Sequence, residues 1–358
     1  KSIAVIGPNA DQVQFGDYSI TKSNDYGITV LDGIRQIAGN KVQINYARGC
    51  GITDLDKTGF DEAVDAAQKS DVVVLVIGGT SIIYSGIGWG NDQSDEYNTC
   101  GEGHDRTTLD PPGVQPELIR EIVKTGKPVV MVMLHGRPYS ISWEKEHIPA
   151  ILEAWYPGEE GGNAIADIIF GIVNPSGKLT VSVPQSVGHV PVFYDHKPSG
   201  RGFYHKPGTP EKPGRDYVFS SPDPLFPFGH GLSYTEFKYS NLKISNDTIN
   251  IGDKITITFS VKNTGDREGK EVVQLYLKDR VASVSIPVKR LRNFKKINLQ
   301  PGEEIMVSFT LTPEDLKLWN KNMEFVVEPG EFEIMIGSSA EDTRIRKTFI
   351  IYEDKKAK

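Results

Sequence analysis

"FDEAVDAAQKSDVVVLVIGG" (residues 60–79) changes its hydrophobic period halfway along, and that change decides the fold. The first half sets Phe60, Ala63, Val64 and Ala67 on one stripe of a helix. The second half, from Asp71, is a continuous apolar run closed by a Gly pair, as expected of a parallel strand covered on both faces. Working outward, SIAVIG (2–7), KVQINYA (41–47), KPVVMVML (127–134) and PAILEAWY (149–156) have the same strand character. Between them PELIREIVKTG (116–126) stripes Leu118, Ile119, Ile122 and Val123 and stops at Gly126, and GGNAIADIIFG (161–171) repeats the pattern. Strands alternating with helices of this length predict an α/β sandwich with a mostly parallel sheet over residues 1–185.

From 186 to 235 the periodicity disappears into a stretch rich in Pro, Gly and aromatic residues. A flexible linker lacks so many aromatics, so an extended, packed connection is expected here, lying between the two domains. Over 236–358 the period becomes two. Ile255, Ile257, Phe259 and Val261 share one face, as do Ile305, Val307, Phe309 and Leu311, and then Phe332, Ile334 and Ile336. Turn signals at Asn263-Thr264-Gly265, Pro301-Gly302 and Pro329-Gly330 separate these runs, predicting an all-β sandwich of immunoglobulin or fibronectin type III style.

A chain of 358 residues suits two such domains. No apolar run reaches the roughly 20 residues that cross a bilayer. The net charge of −7 and the lack of a basic block argue against nucleic acid or an anionic membrane as partner. Residue 1 is Lys and residues 2–6 already read as a strand, so a processed or excised chain is expected, with any signal peptide outside it. Cys50 and Cys100 form either one disulfide or two buried thiols; neither has zinc-ligand spacing, and no metal or cofactor is expected.

Sites on an open parallel sheet lie at the carboxyl ends of its strands. The longest irregular segment at such an end is 78–115, and loops this long in compact domains carry function or are disordered. It holds Ser81, Tyr84, Trp89, Glu96, Tyr97, Glu102, His104, Asp105 and Arg106, a composition suited to a carbohydrate or another polar small molecule. The alternative is a solvated loop shaped by an Asp–Arg pair. The segment GPNAD (7–11) is not a dinucleotide fingerprint, the Gly86, Gly88, Gly90 spacing precedes no helix, and no GxSxG elbow occurs. His135 and Arg137 follow a strand and face either the same crevice or the core. Lys197 and Arg201 read as anchors of the connection, the alternative being contacts to sugar hydroxyls or a carboxylate.

Taken together, SIAVIGPNAD (2–11), YARGC (46–50), GEGHDRTTLDPPGVQ (101–115), AILEAWYPGEEGGNAIADIIFGIVNPSGKLTVSVP (150–184), PLFPFGHGLSYTEF (224–237), VKNTGDREGKEVVQLYLKD (261–279), PVKRLRNF (287–294) and EPGEFEIMIG (328–337) resemble the C-terminal portion of glycoside hydrolase family 3, the β-glucosidases and β-xylosidases. The resemblance implies the last two of three domains, the absent one being a (β/α)8-like barrel, and makes the second domain here fibronectin type III-like. It implies a retaining, exo-acting β-glycosidase acting on terminal glucose, or secondly xylose, of oligosaccharides. The nucleophile would be a barrel Asp in an SDW-like motif; no SDW occurs in this sequence. The acid/base carries over to Glu102, with Glu96 as fallback. Trp89, Tyr84 and Tyr97 would bury the acid or line the leaving-group subsite, His104 would join them in binding substrate, and Asp105 and Arg106 would pair to hold the loop. Gly101 and Gly103 would allow close approach of the sugar. One departure is Pro111-Pro112-Gly113, where the family commonly has Leu-Pro-Gly. The expected partners are an oligosaccharide and a barrel domain or chain, a homodimer is left open, and a periplasmic or secreted location is expected. The rival expectation is a non-catalytic carbohydrate-binding or scaffold module of the same fold.

Overall fold

The computed structural model describes residues 1–19, 24–81, 98–198 and 220–353. The chain divides into two compact units, Lys1–Val173 with Pro184–Val190, and Asn174–Val183 with Pro191–Lys358.

The first unit runs β1 (Ser2–Ile6), α1 (Val30–Ala38), β2 (Gln43–Ala47), α2 (Phe60–Gln68), β3 (Val72–Gly78), α3 (Gln115–Lys124), β4 (Val129–Leu134), α4 (Ser142–His147), β5 (Ala150–Glu153) and α5 (Gly161–Ile169). All five strands are parallel, in the order β2-β1-β3-β4-β5. Continuous apolar runs are what this sheet requires, because helices cover both of its faces. Val5, Val74, Val76, Val132 and Leu134 pack with Leu31 and Ile34 of α1 and with Ile165 and Ala166 of α5. The alternate residues Ala4, Ile6, Leu75, Ile77, Met131 and Met133 are equally buried, and α2 lies against β1, β2 and α3. The order also sets a crevice. The chain leaves β1 toward β2 on one side, whereas β3 lies on the other side of β1. The loops after β1 and β3 therefore part at their carboxyl ends, the place where open α/β sheets bind ligands.

The second unit contains β6 (Phe237–Ile244), β7 (Thr248–Asn250), β8 (Ile255–Asn263), β9 (Gly269–Asp279), β10 (Arg290–Leu299), β11 (Glu304–Leu311), α6 (Pro313–Leu316), β12 (Leu318–Trp319), β13 (Phe325–Val326), β14 (Gly330–Gly337) and β15 (Thr343–Tyr352). One sheet has the order β10-β9-β14-β15-β7, another β11-β8-β6, and β12 and β13 form a small hairpin. The period-two residues supply the core, with Ile255, Ile257, Phe259 and Val261 packed among Val307, Phe309, Leu311, Phe332, Ile334 and Ile336. The β-sandwich thus follows from the alternation.

Residues 174–183 pack with this second unit. Leu179 donates its N–H to the His230 carbonyl at 2.8 Å and accepts from Gly229 at 2.7 Å. The Lys178 ammonium, mostly buried, lies 3.0 Å from the buried Glu271 carboxylate. The aromatics of the connection are also put to use, since Tyr194 stacks on Phe228 at 4.3 Å and meets Tyr276 edge-on. Residues 199–219 of the connection, Arg201 among them, lie outside the described residues. No helix among the described residues is long and apolar enough to cross a membrane.

Candidate active site

Two loops of the first unit meet over the carboxyl ends of β1 and β3. The loop after β3 is clipped at its base. Thr99 donates its N–H to the Thr80 carbonyl at 2.9 Å, Thr80 donates its own to Thr99 Oγ1 at 3.0 Å, and Ser81 Oγ donates to the Cys100 carbonyl at 3.2 Å. Past that clip the backbone turns at Gly101 (φ 111°) and Gly103 (φ 78°), with Glu102 between them and exposed to solvent. Space is not the reason for Gly103, since an added Cβ there would meet nothing within 4 Å; the left-handed backbone is.

The return of the loop is held by two arginines. Arg137, just after β4, donates from Nη2 to the His104 carbonyl at 2.7 Å. Arg106 donates from Nη2 to the Asp110 carbonyl at 2.7 Å and lies over the Tyr139 ring at 5.3 Å. The expected Asp105–Arg106 pair is not formed among the described residues. The guanidinium turns to a carbonyl and an aromatic face instead, and Asp105 stays in solvent. The His104 ring is engaged by the Asn98 amide at 3.3 Å.

Beneath the loops lies an aromatic floor built from the residues that follow β4 and β5. His135 is fully buried, stacks on Tyr139 at 4.3 Å, and has its Nε2 2.9 Å from the Glu153 carboxylate. It therefore belongs to the core side of the crevice, whereas Arg137 belongs to the loop. Burial pushes the Tyr139 phenol up to about 12, with the nearby Thr99 hydroxyl lowering it in part, so the ring stays neutral. Tyr156, after β5, places its hydroxyl 2.9 Å from Cys100 Sγ, and burial followed by that contact drives its phenol far above the usual range. Cys50 and Cys100 are both buried thiols and are not bonded to each other.

The loop after β1 reaches the same place. Gly16 backs onto the Tyr156 ring, where an added Cβ would lie 2.9 Å from a ring carbon. Two residues on, Tyr18 is exposed with φ 58°, and its hydroxyl donates to Glu102 Oε2. Tyr18 escapes sequence reasoning, being 84 positions from Glu102 and on no periodic segment. A signal does exist, because a long segment, residues 7–29, separates β1 from α1 and leaves the same sheet edge as residues 79–114 after β3. Glu96, Tyr84, Trp89 and Tyr97 lie outside the described residues.

A cavity of ≈ 550 Å³ is walled by Arg106, Thr108, Asp110, Trp143 and Glu144. Glu102 is not in its lining.

With this geometry in place, residues 1–234 match the family model described as the glycosyl hydrolase family 3 C-terminal domain. The chain belongs to glycosyl hydrolase family 3. A second model, for a fibronectin type III-like domain, matches residues 271–340. A β-xylosidase of Formosa agariphila is 45% identical over 95% of this chain and 44% of its own length. A periplasmic β-glucosidase of Salmonella typhimurium is 41% identical over 94% of this chain and 44% of its own. The β-glucosidase of Listeria innocua, solved in complex with glucose, superposes with a TM-score of 0.84 at 34% identity, covering 98% of this chain and 46% of that one. The family 3 chain described here thus spans less than half the length of these three relatives.

Proposed function

We propose that this chain is the acid/base-bearing portion of a retaining, exo-acting β-glycosidase that releases terminal β-linked glucose or xylose from oligosaccharides. A (β/α)8-like barrel, on the same polypeptide or a partner chain, supplies the Asp nucleophile. The observation carrying this reading is the exposed Glu102 on a Gly-flanked turn over the β1/β3 crevice, fixed at its base by Thr80, Thr99 and Arg137.

In this mechanism the barrel Asp attacks the anomeric carbon while Glu102 gives its proton to the departing glycosidic oxygen. Glu102, now a carboxylate, takes a proton from the water that attacks the glycosyl-enzyme, and the product keeps its anomeric configuration. The two carboxyl groups need a separation of about 5–5.5 Å, and nothing requires one domain to supply both. An acid that starts protonated needs burial or a neighbouring carboxylate. The exposed Glu102 gains both when the barrel closes over it, with Tyr84, Trp89 and Tyr97 as proposed walls. Enzyme and substrate meet in the periplasm or outside the cell, in keeping with the periplasmic β-glucosidase among its relatives. The sugar accepted is set by the barrel side of the cleft.

Aryl β-glucosides and β-xylosides offered to the chain alone and to the chain joined to its barrel test this directly. Turnover is expected only in the joined enzyme, with retention of configuration by NMR of the first-formed sugar. Absence of turnover in a folded joined enzyme would instead identify a non-catalytic carbohydrate-binding or scaffold module.

A further inference from the structure

We infer that Tyr18 is a positioning residue for Glu102, its hydroxyl fixing one carboxyl oxygen so that the other is presented to the glycosidic oxygen. This rests on the reading of Glu102 as the acid/base. Three observations carry it. The Tyr18 hydroxyl donates to Glu102 Oε2, leaving Oε1 for the proton that is transferred. Tyr18 adopts the left-handed backbone (φ 58°), which costs a bulky L-residue energy and persists where surroundings impose it. Those surroundings are visible. Gly16 rests on the Tyr156 ring, Ser19 Oγ donates to the Gly16 carbonyl at 3.0 Å, and the Tyr156 hydroxyl touches Cys100 two residues before Glu102. Tyr156 thus ties the loop after β1, the loop after β3 and the end of β5 to one point, so donor and acceptor share a common base.

The consequence is an asymmetric carboxyl. During leaving-group departure the proton moves from Oε1 to the glycosidic oxygen and the electron pair left on Glu102 is stabilised by the phenol O–H. During hydrolysis of the glycosyl-enzyme, Oε1 recovers a proton from water and the phenol keeps its own throughout. A hydrogen bond to a charged acceptor of this kind is worth enough to change a rate about tenfold or more when lost.

Two arms test it. In this chain alone, with tyrosine labelled at 13Cζ, the Tyr18 signal (identified by its loss in Tyr18→Phe) should move upfield in Glu102→Gln, because the anionic acceptor is gone. An unmoved signal would overturn the contact whatever the enzyme does. In the barrel-joined enzyme, Tyr18→Phe keeps the ring and removes only the hydroxyl. It should lower kcat by about tenfold on poor leaving groups and much less on good ones, with KM little changed. Full activity of Tyr18→Phe beside an impaired Tyr18→Ala would mean that the ring alone matters, and would overturn the proposal. Glu102→Gln run in parallel separates the outcomes: if it is undamaged, the acid/base assignment has failed, and Tyr18 is not the cause.

Discussion

Gln115 is a fully buried amide at the start of α3, and it makes three hydrogen bonds there. Its Oε1 accepts from the Gly78 N–H at 2.9 Å, and its Nε2 donates at 2.8 Å to the carbonyls of both Gly78 and Ile52. The end of β3, which launches the Glu102 loop, is thereby fixed to the loop after β2. Gln115→Leu keeps most of the volume and removes all three bonds, so it should destabilise the first unit by about 2–4 kcal/mol in urea unfolding. A change below about 0.5 kcal/mol would mean that these backbone groups find other partners. At this scale the sequence is legible where chemistry and backbone coincide, as with Glu102 between two glycines. It is opaque where a role depends on a distant partner. Gln115 reads as one more polar residue ahead of a helix, Tyr18 as one more loop aromatic, and Arg106 next to Asp105 suggests a pair that the fold does not make.

Among elements, the sandwich is clipped by one charged pair. Arg344 on β15 donates from Nη2 and Nε to Asp342 at 2.7 and 3.0 Å, and from Nη1 to the Phe237 carbonyl of β6 at 2.7 Å. It thus joins a strand of each sheet. The hydrogen bonds from Arg344 hold the Asp342 carboxyl below its ordinary range. A depressed acid stabilises the fold above its unfolded value of about 3.9, and that contribution is lost as pH falls through the lower folded value. Asp342→Asn should therefore flatten the acid side of the stability profile below about pH 4, read from amide exchange of β6 and β15 between pH 7 and 2. An acid limb identical to wild type would contradict this; the pair is half exposed, so the effect should be modest. Element identity was readable wherever the period was clean, in β3, α3, β8 and β11. The predicted helices leave out α1, whose stripe of Val30, Leu31, Ile34 and Ala38 is broken by Gly33, a poor helix former. The reason is tertiary: a Cβ on Gly33 would lie 2.3 Å from the Gly162 carbonyl, so α1 and α5 pack only because it is absent. Residues 174–183 have no period of their own, and their partners at 229–230 and 271 lie far along the chain.

For the whole molecule, the two fold classes follow from the switch of period, and the strand order that creates the crevice does not. Order depends on which helix crosses which face, and a single strand carries no record of it. The deeper limit is that an acid/base is half of a catalytic pair. Here Glu102 is exposed, and under the proposed function its nucleophile would come from a barrel that meets it. The most direct measurement is kcat/KM of Glu102→Gln in the barrel-joined enzyme across aryl β-glycosides of graded leaving-group acidity, together with kcat in the presence and absence of azide. The account predicts a loss of about 100- to 10,000-fold on poor leaving groups, a much smaller loss on good ones, and azide rescue that yields a glycosyl azide of retained configuration. Wild-type-like turnover on the poor leaving groups would contradict it.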